Sequence, residues 1–143
     1  MGKKRLIVSY EIDFNLYGLI ATIKDYKLAW LLNKALNIHF VKEPDLTLDF
    51  VSGGRLVLCN YYHQSEHFSI RLIKNKDVEQ TGVQTNYLIP EMINFDYVLQ
   101  IKGIDQFMEI AQLEKTIRSI SEVEYLAAID IGKLKSKENL IFE

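Results

Sequence analysis

The sequence predicts an α+β fold, with a mainly antiparallel sheet of about six to seven strands and two helices on one face. Three observations predict it. The length of 143 residues is that of one domain. Segments that alternate apolar and polar residues follow one another in an unbroken block through the middle of the chain. Two further segments repeat their apolar residues with the period of a helix.

The first strand and the first helix are predicted near the start of the chain. Apolar side chains alternate from Leu6 to Leu16, and we expect Gly18 to end this strand. The helix is expected to begin near Asp25 and to stop at Asn37. Its buried face repeats apolar residues at helical spacing, namely Leu28, Leu31, Leu32, Ala35 and Leu36.

The remaining elements follow from the same two periods. Ile89 is expected to be extended because Pro90 follows it, and an optional strand is placed there. The order is therefore β-α-β-β-β-(β)-β-α-β. The other elements are hairpin strands at 46–51 and 55–62 around Gly53-Gly54, strands at 68–72 and 95–101, a helix over 105–120 and a last strand at 123–129.

Composition and residue pattern indicate the domain boundaries and the cellular compartment. Residues 1–132 are expected to form a single α+β domain, and residues 133–143 a basic, flexible C-terminal tail. One cysteine cannot form an internal disulfide, and acidic residues at 11 and 13 come too early for a signal peptide. No stretch is apolar enough for a membrane span. We therefore expect a cytoplasmic protein that does not associate with a membrane.

Charge and motifs argue against several classes of function. The chain carries 17 Lys and Arg against 19 Asp and Glu, a net charge of −2, whereas nucleic-acid-binding surfaces are normally basic. No P-loop, dinucleotide fingerprint, nucleophile elbow or zincin helix is found. We expect no cofactor, and the balance is against an enzyme.

The nearest approach to a metal site is the set Cys59, His63 and His67, in which three residues separate each member from the next. A structural zinc site needs four such ligands close together, so we expect no metal and favour a buried cysteine with two histidines in the following strand and loop. Val57 and Leu58 precede the cysteine, which indicates a packed and unreactive thiol.

The most informative feature is a stripe on the first helix. At about 100° per residue, Tyr26, Trp30, Asn33 and Asn37 fall in a narrow arc nearly opposite the buried face. Aromatic residues are enriched at interface centres, so these four are the candidate partner-contact residues. The alternative is that a loop or the C-terminal residues Leu140–Phe142 cover the stripe, or that the helix is packed on both sides. We expect a homodimer or another protein partner.

The segment Ile89–Tyr97, with the sequence IPEMINFDY, resembles the signature of the bacterial IPExxxVDY family. Phe95 stands where the signature has Val. The segment Lys24–Trp30 also resembles that family's first helix. The resemblance implies a small bacterial cytoplasmic protein and carries over no catalytic residue.

Three functions follow as hypotheses. The first is a non-catalytic binding or adaptor domain that self-associates, with the motif loop (Ile89, Pro90, Glu91, Asp96 and Tyr97) as a second candidate surface. The second is an acid–base enzyme that uses Glu91 and Asp96 with His63 or His67. An RNA-associated accessory protein is a weaker alternative. In the simplest interpretation, Glu91 and Asp96 only lock a turn.

Overall fold

Six antiparallel strands form one sheet in the computed structural model, which describes residues 13–49, 55–78, 87–135 and 137–140. The strands are β1 (Phe14–Ile20), β2 (Val41–Asp49), β3 (Arg55–Gln64), β4 (Ser69–Lys74), β5 (Tyr97–Lys102) and β6 (Tyr125–Ala128). Their spatial order is β2-β3-β4-β5-β1-β6. The two α-helices are α1 (Asp25–Leu36) and α2 (Ile110–Arg118). The predicted α+β fold with an antiparallel sheet is confirmed.

The two faces of the sheet are covered differently. Both helices pack on one face, where their leucines and isoleucines join one apolar cluster with the sheet. The other face has its own cluster, covered by short 3₁₀ segments and loops. These segments are Pro90–Met92, Ile131–Lys133 and Lys137–Leu140, while a fourth, Ile104–Gln106, precedes α2. No helix among the described residues is long and apolar enough to cross a membrane.

β1 differs from its predicted extent. It continues through Gly18 to Ile20, whereas Gly18 was expected to end it. The glycine is needed because the ring of Phe95 lies against the strand there, and a Cβ on Gly18 would be 2.6 Å from ring carbons. The start of the predicted strand, residues 6–12, lies outside the described residues, and so does the predicted turn at 52–54.

The second predicted helix is shorter than expected. A 3₁₀ turn over Ile104–Gln106 comes first, and α2 begins only at Ile110. Between them the ring of Phe107 stacks on the ring of Phe68 with 4.3 Å between centroids. Packing of Phe107 against the core therefore takes the place of the predicted helical turn. The optional strand near Ile89 is replaced by the 3₁₀ turn that Pro90 begins. Ile89 itself, with φ −118° and ψ 88°, lies outside the helical region as predicted.

The C-terminal segment contributes to the core. Leu134 and Leu140 are buried in the cluster on the face opposite the helices. The backbone N–H of Lys135 donates to Glu91 at 2.6 Å, and the Gln100 side chain donates to the Leu140 carbonyl at 2.7 Å. At these positions the expected flexible tail is instead packed, because its leucines face the sheet while its exposed lysines face solvent.

Each edge strand of the sheet has a feature that hinders its pairing with another chain. β2 is one edge, and its pairing with β3 shifts between Glu43 and Leu46, around Pro44. β6 is the other edge, and the Arg118 guanidinium donates to the Leu126 carbonyl at 3.1 Å. Prolines, irregular pairing and covering side chains are the usual means by which edge strands avoid pairing with other chains.

Candidate functional site

The outer side of α1 presents two large aromatic side chains to solvent. Tyr26 is 65% exposed and Trp30 is 55% exposed. They are four residues apart and therefore lie one above the other on the helix surface. The ammonium of Lys34, one further turn along, lies 4.4 Å from the centroid of the Trp30 ring in a cation–π contact. The structure thus places both aromatic members of the stripe where the helical periodicity predicts them.

The two asparagines of the stripe have local roles. The Asn33 side-chain oxygen accepts a hydrogen bond from the Phe40 N–H at 2.7 Å, which directs the chain from α1 into β2. Asn37 adopts the left-handed conformation with φ 56° and caps the helix through its N–H on the Asn33 carbonyl. Asparagine is one of the few residues that accept this conformation readily. The exposed aromatic part of the stripe therefore consists of Tyr26 and Trp30.

The C-terminal segment does not cover this surface at Leu140. That residue is buried on the other face of the sheet, where its carbonyl accepts from Gln100. Ile141 and Phe142, the other residues proposed as a cover, lie outside the described residues.

α1 is fixed to the sheet at its first residue. The Asp25 carboxylate accepts hydrogen bonds from the Tyr61 hydroxyl at 2.7 Å and from the Cys59 thiol at 3.2 Å. Burial alone would raise the pKa of Asp25, but these two hydrogen bonds, a backbone hydrogen bond and the charge of Lys74 together lower it. The helix begins at Asp25 as predicted, and the carboxylate of this residue binds two side chains of β3.

The same contact stabilises the protonated form of the Cys59 thiol. Burial and the hydrogen bond to Asp25 raise the pKa of its thiol to about 11. The other two residues of the candidate metal set are engaged elsewhere or exposed: His63 bonds Ser65 and the His39 N–H, and His67 lies in the exposed loop beside Glu66. Among the described residues, no three His, Cys, Asp or Glu side chains are grouped as a metal ion requires.

The acidic residues of the motif loop bind backbone amides. Glu91 accepts from the Lys135 N–H, and Asp96 accepts from the Ala21 N–H at 2.9 Å. The Tyr97 hydroxyl donates to the Ile23 carbonyl at 2.5 Å. Ile89 is fully buried, and Pro90 begins the 3₁₀ turn. Glu91, Asp96 and Tyr97 therefore each fix the loop to a distant part of the chain.

Asn75, the residue directly after β4, organises this loop and was not a candidate from the sequence. It is fully buried. Its amide nitrogen donates to the carbonyls of Met92 and Phe95, each at 3.0 Å, and its oxygen accepts from the Ile89 N–H at 2.8 Å. The sequence carries no signal for this role, because the burial of Asn75 and its hydrogen-bond partners arise only in the folded loop, where buried polar side chains are normally satisfied by hydrogen bonds.

A cleft of about 290 Å³ lies beside the motif loop. Lys74 and Lys76 line it together with Asp96, and Lys74 also acts electrostatically on Asp25. Two lysines against one carboxylate leave the lining of this cleft with a net positive charge. Its Asp96 side is already occupied by the hydrogen bond to Ala21.

The histidines lie at the other end of the sheet. β5 runs from Tyr97, paired with Lys74, to Lys102, paired with Ser69. Asp96 precedes the first of these pairs, whereas His67 lines a separate cleft beside Gly103. At about 3.3 Å per residue, a six-residue strand keeps them roughly 20 Å apart. The acid–base hypothesis requires the carboxylates to lie close to a histidine, and the structure keeps Asp96 and His67 apart.

Comparison with protein-family models, with curated proteins and with solved structures finds no match to this chain. The resemblance to the IPExxxVDY family therefore stays a prediction from the motif.

Proposed function

We propose that this chain is a non-catalytic protein-binding module, with Tyr26 and Trp30 on the outer side of α1 as its contact residues. One observation carries the proposal: two large aromatic side chains are exposed one turn apart on a helix whose other side is fully packed. Single exposed apolar residues are ordinary, but paired aromatic side chains on one helix face are typical of interface anchors.

The scaffold beneath these residues supports the proposal. α1 is held at its start by Asp25 and at its end by the Asn33 and Asn37 contacts. A surface held in this way needs little ordering when a partner binds, which lowers the entropic cost of association. We also propose the cytoplasm as its location, where a protonated and buried Cys59 is compatible with the reducing conditions.

The competing functions have less support. An acid–base enzyme needs Glu91 or Asp96 close to a histidine, and the two carboxylates instead bind backbone amides away from His67. An RNA-associated protein is disfavoured by the net charge of −2. Self-association through the outer side of α1 is one form of the proposed function, and the solution mass separates it from binding to another protein.

Because Trp30 is the only tryptophan, 5-fluorotryptophan labelling places a single ¹⁹F probe on the proposed surface. We expect its NMR resonance to shift or broaden when unlabelled cell lysate is added, or when the labelled chain itself is concentrated. Light scattering then distinguishes the cases, since a homodimer has twice the mass of 16.7 kDa.

Two tyrosines provide a matched pair of variants. Tyr26→Ala should remove the change in the Trp30 resonance, whereas Tyr125→Ala, which truncates a comparably exposed tyrosine on β6, should leave it. A resonance that stays sharp and unshifted in lysate and at high protein concentration would contradict the proposed function.

A further inference from the structure

The charges on α1 are distributed unevenly between its two sides. The one carboxylate of the helix, Asp25, faces the sheet and is bound by Tyr61 and Cys59. Both lysines of the helix, Lys27 and Lys34, are exposed. Asp25 is half-buried with its carboxylate engaged by Tyr61 and Cys59, so the two exposed charged side chains of α1 are both lysines.

The lysines form a row beside the aromatic residues. At about 100° per residue, Lys34 and Lys27 follow Trp30 around the helix within roughly 60°. Lys34 is in contact with the Trp30 ring. The outer side of α1 thus combines an aromatic row with an adjacent cationic row, and a partner that covers the first must also meet the second.

We infer that the partner bound by this surface is an acidic protein segment, with apolar side chains against Tyr26 and Trp30 and carboxylates opposite Lys27 and Lys34. The inference rests on the proposed function and adds the chemistry of the partner. Charge complementarity of this kind selects partners and speeds their encounter.

A second copy of the chain fits this surface less well. In a two-fold interface with the α1 helices of the two copies antiparallel, the same surface would be applied to itself and the lysine rows of both copies would meet. Like charges within the Debye length of ~8 Å repel each other. Full burial of two aromatic side chains covers about 150–250 Å² each, against roughly 800 Å² per partner in a stable standard interface. The area of the aromatic row suits a short segment.

The test is a selection of random displayed peptides on the immobilised full chain, followed by counter-screening on Trp30→Ala. We expect the peptides that need Trp30 to be enriched in Asp and Glu beside apolar residues. One such peptide, made synthetically, should bind about tenfold more weakly to Lys27→Glu/Lys34→Glu, because two exposed ion pairs become repulsive. High salt should also weaken the binding of this peptide to the wild type, because it screens the same ion pairs.

The matched control is Lys102→Glu/Lys133→Glu, which makes the same change of charge at exposed lysines away from α1 and should bind as the wild type does. Trp30-dependent peptides without acidic enrichment would overturn the inference while leaving the proposed function intact. A selection without any Trp30-dependent peptide would count against the proposed function itself. Single-stranded oligouridine that binds more tightly than the acidic peptides, through Trp30 and the α1 lysines, would overturn the inference in favour of a nucleic-acid surface.

Discussion

The motif loop and the outer side of α1 differ in how their side chains are used. In the loop, Glu91, Asp96 and Tyr97 each bind a backbone group from elsewhere in the chain. On α1, Tyr26 and Trp30 remain largely exposed above a fixed helix. A conspicuous sequence motif can therefore serve the fold, while the aromatic stripe of α1 remains exposed to solvent.

Asn75→Ala should have the largest effect, because it removes the centre of the motif loop. Three hydrogen bonds at about 1 kcal/mol each are lost and buried groups are left unpaired, so we expect the free energy of unfolding to fall by about 3 kcal/mol or more. Urea unfolding measures it. Asn94→Ala, at an exposed asparagine of the same loop, should change it little. Equal effects of the two substitutions would show that the loop does not depend on Asn75.

The base of α1 can be examined through the Cys59 thiol. Its pKa of about 11, against an ordinary value of 9.0, predicts roughly a hundredfold smaller thiolate fraction at pH 8. Alkylation by iodoacetamide should be slower in the folded chain by at least this factor than in the urea-unfolded chain. Similar rates in both states would contradict the contact with Asp25.

The raised pKa of the Cys59 thiol also makes the stability of the fold depend on pH. Because the unfolded thiol loses its proton at lower pH than the folded one, the contribution of Cys59 to stability is complete below pH 9.0 and is lost as the pH rises towards about 11. Asp25 behaves in the opposite sense. The pKa of its carboxyl is lowered by the bonds from Tyr61 and Cys59, so its contribution is present above the ordinary value of 3.8 and is lost in more acidic solution.

Gly18→Ala tests how closely the motif loop packs on β1. The new methyl group would overlap the Phe95 ring, and we expect a loss of about 2 kcal/mol in the free energy of unfolding. In a Phe95→Ala background the cost should largely disappear, which a double-mutant cycle measures. A cost that is the same in both backgrounds would assign it to the backbone of β1 instead.

Asn33→Ala should cost about 1 kcal/mol, because the Phe40 N–H loses its acceptor. Asn33→Asp keeps an acceptor oxygen and should restore most of the stability. Chemical denaturation of both variants decides whether Asn33 stabilises the end of α1. If Asn33→Ala is neutral, the residue belongs with Tyr26 and Trp30 as a surface residue.

Trp30→Ala should have the smallest effect on stability, within about 0.5 kcal/mol of the wild type, since the side chain is exposed and alanine favours helix. Thermal unfolding measures it. A large loss would show that Trp30 is a core residue, and the contrast between α1 and the motif loop would disappear.

The sequence predicts those features that depend on neighbouring residues. The periodicity of 28–36 is enough to predict which side of α1 is buried and to leave Trp30 outside. The role of Asn75 could not be predicted, because its partners lie 14 to 20 residues away and meet it only in the folded loop. The separation of Asp96 from His67 likewise depends on the strand order, which local patterns do not contain.

The modified edges of the sheet affect how the chain behaves at high concentration. Pro44 has no N–H to offer along β2, and Arg118 occupies a carbonyl of β6. Fibril growth requires a continuous row of free main-chain donors and acceptors to which the next strand can add. Each edge strand interrupts that row. We therefore expect the folded protein to resist cross-β fibril growth at high concentration, independently of its net charge.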